Sequence, residues 1–302
     1  DNAMVPAINT MLLTATGGKA SNIADMLDFL NNSQSKITLL EHSLAAANEK
    51  AMKAVMDALP KTGTETINGE ELTYDVVYQS ANDIFAPTDS AGKRRKTKSL
   101  EFQIPTLVWK DSTGKVVPHP EVPALDDNYQ IQPMHLLKFL TAFVHGTNTW
   151  LYGHTGTGKS TFVQQVASRI GFPVARVNLD SFLERSDFVG HTVLREKSGA
   201  TVSQYEEGTL PRAMKRPGFL LLDEIDAGRP DILFVIQRGL EDGSLMLTED
   251  HGRIVKAHPL FRFTSTANTR GQGDEYGIYQ GTRTLNTALI DRFPVFIEFT
   301  YL

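Results

Sequence analysis

The sequence predicts an α/β fold in which a parallel sheet lies between helices. Three observations predict it. From about residue 134 onward, short apolar runs alternate with helical patterns. One of those runs, Phe219-Leu220-Leu221-Leu222, is apolar without interruption, as a strand buried on both faces is. A glycine-rich loop at 153–160 separates a short apolar run from an amphipathic segment.

Taken in order, residues 1–99 read as a small α+β region of their own. Ile37, Leu40, Leu44, Ala47, Ala51, Val55 and Leu59 recur in steps of three and four, an amphipathic helix ended by Pro60 and Gly63. Leu72, Tyr74, Val76 and Tyr78 alternate like a half-buried strand. The run Lys93-Arg94-Arg95-Lys96-Thr97-Lys98 follows. Such a run is most often a solvated linker, and it can also touch nucleic acid or an acidic partner. Residues 100–133 read as a Pro-rich connector, punctuated by Pro105, Pro118, Pro120 and Pro123. Residues 134–302 carry the α/β pattern. Leu137, Leu140 and Phe143 mark a helix from Met134 to Val144, and strands are expected at about 149–152, 173–178, 218–223, 261–267 and 294–299.

The loop is a complete G-x-x-x-x-G-K-S: Gly153-His154-Thr155-Gly156-Thr157-Gly158-Lys159-Ser160. Trp150, Leu151 and Tyr152 before it read as a strand, and Phe162, Val163, Val166, Ala167 and Ile170 after it recur at helical spacing. That context makes it a phosphate loop. The glycines let backbone N–H groups turn inward onto phosphate oxygens, and the following helix adds the positive end of its dipole. Lys159 is expected at the β- and γ-phosphates and Ser160 at Mg²⁺, with Thr161 counted in the same nucleotide-binding set. ATP and Mg²⁺ are therefore the expected cofactors.

The apolar run at 219–222 ends in Asp223 and Glu224. Ligands of parallel sheets sit at the carboxyl edge of the strands, where these two emerge. Asp223 is expected in the Mg²⁺ shell, and Glu224 as the group that orients or deprotonates the attacking water. Asn268 closes the run Phe261-Arg262-Phe263-Thr264-Ser265-Thr266-Ala267. It is read as an amide beside the γ-phosphate, against the alternative of a turn-forming Asn. Asn178, at the end of the 174–177 strand, is a weaker polar candidate. Arg292 is read as an arginine finger reaching a neighbouring subunit's γ-phosphate, against a local ion pair with Asp291 or another surface acid.

Composition sets limits. The 302 residues are 41% hydrophobic and 22% charged, which suits a chain that buries a core. The net charge of −5 gives no global field toward nucleic acid or anionic membrane. Without cysteine, disulfides, thiol catalysis and cysteine-held metals are excluded, and a cytoplasmic protein is expected. No apolar run reaches the roughly 20 residues of a membrane helix, and Asp1-Asn2-Ala3-Met4 does not resemble a signal peptide.

The phosphate loop, Leu222-Asp223-Glu224, Asn268 and Asp291-Arg292-Phe293 resemble the Walker A, Walker B, sensor 1 and arginine-finger motifs of AAA+ ATPases. The finer likeness is to the MoxR-like branch and, within it, the cobaltochelatase ATPase (CobS) type. It rests on Arg176-Val177-Asn178-Leu179-Asp180-Ser181, on Asp226-Ala227-Gly228-Arg229-Pro230-Asp231, and on Thr266-Ala267-Asn268-Thr269 with the glycines that follow. The likeness runs from about Pro118 to the end.

The resemblance implies a P-loop AAA+ core with a five-stranded parallel sheet. It implies a homo-oligomer, a hexameric ring with ATP between subunits, acting on a client protein, with metal (cobalt) insertion as one such action. It also implies β-hairpins at 192–205, with Ser198-Gly199 at the tip, and at 244–255. A helical lid with a second sensor arginine, which the family carries beyond the last strand, has no segment here. A nucleic-acid translocase and a nucleotide-gated ring scaffold are the competing expectations.

Overall fold

A computed structural model describes residues 61–86, 96–273 and 283–301, apart from Asn68, Ser181, Ser198 and Gly199, together with a few isolated residues before Pro60. The helix expected over 37–59 lies almost entirely outside the described residues, as do Lys93, Arg94 and Arg95.

The first sheet is antiparallel, in the order β1 (Thr62–Ile67), β2 (Glu70–Ser80), β3 (Gln103–Lys110). Ile67 pairs with Glu70 across a two-residue turn in which Gly69 takes φ +87°, a conformation glycine adopts freely. Leu72, Tyr74 and Val76 point inward along β2, as their alternation predicts. Helix α1 (Ala81–Phe85) follows. It holds what is described of the basic run. Lys96 pairs with Asp83 at 2.7 Å, and Thr97 exchanges two hydrogen bonds with the Asn82 side chain.

Strand β3 corrects the expected connector: residues 103–110 belong to a sheet, with Ile104, Leu107 and Trp109 buried. Pro105 misled the sequence reading because proline breaks central strands. β3 is an edge strand, where a missing N–H is tolerated.

The remaining elements run in order. Helix α2 (Pro133–Val144), strand β4 (Thr149–Gly153), helix α3 (Lys159–Ile170) and strand β5 (Val174–Asn178) come first. Helix α4 (Arg185–Phe188), the hairpin β6 (Gly190–Lys197) and β7 (Ala200–Glu207), helix α5 (Thr209–Met214) and strand β8 (Gly218–Asp223) follow. Last are helix α6 (Pro230–Asp242), the hairpin β9 (Ser244–Leu247) and β10 (Arg253–Lys256), strand β11 (Phe261–Ala267), helix α7 (Thr287–Ile290) and strand β12 (Val295–Phe299).

The central sheet is five-stranded and parallel, in the order β12-β4-β11-β8-β5. Its strands match the five expected segments to within a residue or so at each end. β8 is buried at every position, and its side chains divide between two cores. Phe219 and Leu221 join α2, α3 and the first sheet; Leu220 and Leu222 join α5, α6 and α7. Both hairpins occur where the resemblance put them. Thr192 pairs with Tyr205, and Ser244 with Lys256. They are tied to each other through Thr192 Oγ1, which donates to Glu249 O at 3.3 Å, and through Arg253, which donates to Glu207 at 2.8 Å. The tip residues Ser198 and Gly199 lie outside the described residues.

The first sheet packs into the same core as α2, α3 and one face of β8. Tyr74, Val76 and Trp109 share a cluster with Phe139, Phe162 and Phe219. Trp109 Nε1 donates to Gly171 O at 2.8 Å. Gly171 has φ +72°, and a Cβ there would fall 2.3 Å from Leu107 O, so only glycine allows this approach.

A nearly buried ion cluster reinforces the contact. Arg216, 7% exposed, donates to Glu65 at 2.6 Å and to Glu121, while the fully buried His119 lies 3.3 Å from Glu65. Burial pushes the Glu65 carboxyl up, but His119 and Arg216 outweigh it and hold it below its ordinary value. His258 sits at the same junction, 3.4 Å from Tyr74 OH, and accepts the Leu260 N–H at 3.0 Å. Burial, then the nearby Arg262 charge, lowers its pKa from 6.5 to about 4.

Two outcomes are expected. Arg216→Ala strands two carboxylates and lowers unfolding free energy by about 3 kcal/mol in urea titration. Stability is flat in His258 above pH 6.5 and falls as the pH drops toward 4, because there the unfolded His258 binds a proton that the folded one refuses. His258→Gln flattens that slope in denaturation curves taken across this range.

Candidate active site

The site is built at the carboxyl edge of the central sheet. β4 ends in Gly153, whose φ is +145°; a Cβ there would stand 2.0 Å from Phe299 O on β12. Gly156 and Gly158 take φ +82° and +86°, and Gly158 is the N-cap of α3. These glycines fold the loop over the start of a 12-residue helix, where unpaired N–H groups and the helix dipole favour an anion.

Lys159 is 9% exposed. Its Nζ donates to Gly153 O at 2.7 Å and His154 O at 2.9 Å, and lies 3.5 Å from Asn268 Oδ1. Burial lowers its pKa, partly offset by Asp226, Asp223 and Glu224. Thr157 hydrogen-bonds back to His154 O at 2.8 Å. His154 stacks on Tyr301, whose hydroxyl donates to Thr155 O at 2.7 Å.

A cavity of about 530 Å³ opens against this loop. Thr155, Gly156, Gly158, Lys159, Ser160 and Thr161 line it from the loop and α3, Asn178 from β5, Asp223 and Glu224 from β8, and Asn268 from β11. Asp223, 4% exposed, accepts Ser160 Oγ and Thr266 Oγ1 on one oxygen, both at 2.7 Å, and Arg176 Nε on the other. One hydroxyl beside one buried carboxylate fits Mg²⁺, which takes few protein oxygens and completes its shell with phosphate and water. Among the described residues no cluster of three or more acidic or histidine side chains offers an all-protein cage.

Glu224 is exposed toward the cavity and has φ +56°. A non-glycine residue in that region costs on the order of 1 kcal/mol, a strain that tends to occur at functional sites. Asn268 Oδ1 accepts Thr155 Oγ1 at 3.3 Å.

Arg292 does not line this cavity. It donates to Ala288 O and pairs with Glu241 on α6. Within one chain, then, Arg292 makes the local ion pair that was the alternative to a finger, with Glu241 as the acid rather than Asp291.

Three residues were missed. Thr266 bonds Asp223 from the Thr264-Ser265-Thr266 end of β11, where three hydroxyls in a row do not single it out. Asp226 is fully buried and accepts Asn268 N, Thr269 N and Thr269 Oγ1, each at 3.0 Å, which fixes the turn carrying Asn268. Arg176 reaches Asp223 from β5. Only Arg176 had a usable signal: with Asn178 it forms a polar i, i+2 pair on a strand whose other face is apolar.

Residues 148–293 match the model of the AAA domain, dynein-related subfamily. This segment is an AAA domain of that subfamily. Its match begins at β4 and ends after Arg292, so it spans every cavity-lining residue named above and Arg292.

Among curated relatives, the chain is 42% identical over 181 residues to the aerobic cobaltochelatase subunit CobS of Sinorhizobium sp, covering 60% of this chain and 54% of that one. It is 30% identical over 156 residues to the denitrification regulatory protein NirQ of Stutzerimonas stutzeri, covering 52% and 55%. It is 30% identical over 166 residues to the protein NorQ of Paracoccus denitrificans, covering 55% and 60%. The chain thus spans little more than half the length of these relatives. No helix among the described residues is long and apolar enough to cross a membrane.

Thr266→Val removes a hydroxyl that Asp223 needs and is expected to lower unfolding free energy by about 1–2 kcal/mol in chemical denaturation, with Thr266→Ser closer to wild type.

Proposed function

We propose that this AAA domain binds ATP with Mg²⁺ and hydrolyses it, as the motor of a ring that remodels a partner protein. The observation that carries the reading is the convergence of Lys159, Ser160, Asp223, Glu224 and Asn268 on one cavity at the sheet's carboxyl edge.

The loop amides from Gly153 to Thr161 receive the phosphates. Lys159 exchanges its bonds to Gly153 O and His154 O for β- and γ-phosphate oxygens. Ser160 and Asp223 hold Mg²⁺, which when bound neutralises phosphate charge. Glu224 orients the attacking water and takes its proton; Asn268 fixes that water and the γ-phosphate from the opposite side. Assembly into a hexameric homo-oligomer brings Arg292 to the neighbouring subunit's γ-phosphate, at the cost of its pair with Glu241. The 42% identity with CobS supports a client within metal insertion, and the exposed Leu194, Met246 and Ile254 of the two hairpins offer apolar surface to grip it.

Lys159→Ala is expected to lose ATP binding in calorimetry. Glu224→Gln is expected to bind ATP while phosphate release falls at least about 100-fold. Full activity in Lys159→Ala overturns the proposal. Light scattering with and without ATP and Mg²⁺ tests the ring: a nucleotide-dependent hexamer supports Arg292 as a finger, and a monomer under both conditions removes that role.

A further inference from the structure

Arg176 lies on β5, the edge strand of the central sheet, and the strand alternates around it. Ala175 and Val177 turn into the core, while Arg176 and Asn178 line the nucleotide cavity. In register, Asn178 is the partner of Asp223, and Arg176 pairs two residues earlier with Leu221. Arg176 therefore reaches forward along the strand to the Asp223 carboxylate. The two carboxylate oxygens are used differently. Oδ1 takes the Ser160 and Thr266 hydroxyls at 2.7 Å each, and Oδ2 takes the Arg176 guanidinium.

The two partners of this pair also differ in freedom. The Asp223 side chain is 5% exposed, whereas the Arg176 side chain is 54% exposed. The carboxylate is fixed by its surroundings, and the cation is held at one end and otherwise solvated. An arginine that exposed contributes little to holding the fold together. What it does contribute is a full positive charge against the carboxylate expected to face a divalent ion.

We infer that Arg176 is a phosphate-facing counter-cation. It neutralises Asp223 in the nucleotide-free chain and turns its guanidinium to the ATP phosphates when a divalent ion takes over at Asp223. The inference rests on the nucleotide reading of the cavity. Two cations cannot share Oδ2 without repulsion, and Arg176 is the one free to move. The guanidinium fork suits phosphate oxygens, which it can meet with two parallel bonds, and such oxygens are the incoming anions nearest to it. One consequence separates this from a plain surface ion pair: positive charge stands in the cavity even without metal, so metal-free ATP should bind measurably and should depend on Arg176.

The test is calorimetric titration of the whole chain with ATP at fixed ionic strength, once in EDTA and once with excess Mg²⁺, for wild type, Arg176→Gln and Arg176→Lys. The quantity read is the ratio of Kd in EDTA to Kd in Mg²⁺. In Arg176→Gln that ratio is expected to rise at least about tenfold over wild type, chiefly because metal-free binding weakens: without a divalent ion, Arg176 is the charge that offsets Asp223 against the incoming phosphates. Arg176→Lys keeps the charge without the fork and is expected to fall between the two. A ratio in Arg176→Gln within about twofold of wild type overturns the inference while leaving the ATP site intact. If wild type binds ATP in neither condition, the nucleotide reading falls, and this inference with it.

Discussion

The candidate site depends on one buried carboxylate. Asp223 stands at the end of β8, the strand that is enclosed along its whole length, and joins the parts that have to act together. Ser160 reaches it from the start of α3, Thr266 from β11 and Arg176 from β5. A carboxylate that close to the core has to be satisfied by hydrogen bonds or charge, so these three elements are drawn into fixed relative positions. The phosphate loop is anchored through Ser160, and the turn bearing Asn268 is set by Thr266 and by the neighbouring Asp226. Bonds that satisfy Asp223 thus also bring catalytic candidates from separate strands onto one cavity.

The same logic of burial decides what the first sheet is. A three-stranded sheet of this size would be marginal alone. Here its inner face is completed by aromatic side chains of α2, α3 and β8, and the Arg216–Glu65–His119 cluster closes the seam. Gly171 lies at that seam, directly after α3, the helix that begins at the phosphate loop. The first sheet therefore meets the back of the candidate site through packed side chains and one glycine contact. This makes the first sheet share one packed core with the central sheet.

Charge in the site is arranged in pairs that can be exchanged. Lys159 is bonded to its own loop carbonyls, Arg176 to Asp223 and Arg292 to Glu241. Each cation has a partner within the chain, and each pairing is one that a phosphate could replace. In the proposed cycle, nucleotide and neighbouring subunit compete with these internal partners, so binding and assembly become linked to rearrangement of the same side chains.

Much of this was legible in the sequence. The five parallel strands, the phosphate loop, the Asp223-Glu224 strand end and Asn268 follow from local patterns of glycine spacing, apolar runs and turn residues, and the places of both hairpins follow from the family resemblance. Local patterns determine such features because they are set by backbone geometry and by burial along a single element. The sequence did not reveal that residues 103–110 form a strand, since Pro105 reads as a breaker until its place at a sheet edge is known. Nor did it reveal that Arg176 and Thr266 meet Asp223, that Asp226 holds the Asn268 turn, or that Glu241 holds Arg292. Those contacts join residues 42 to 51 positions apart, such as Arg176 and Asp223. The sequence by itself determined the elements of the α/β core and the candidate site residues they carry. Only the tertiary structure decided which charges neutralise which, because that depends on how strands distant in the chain lie side by side in the sheet.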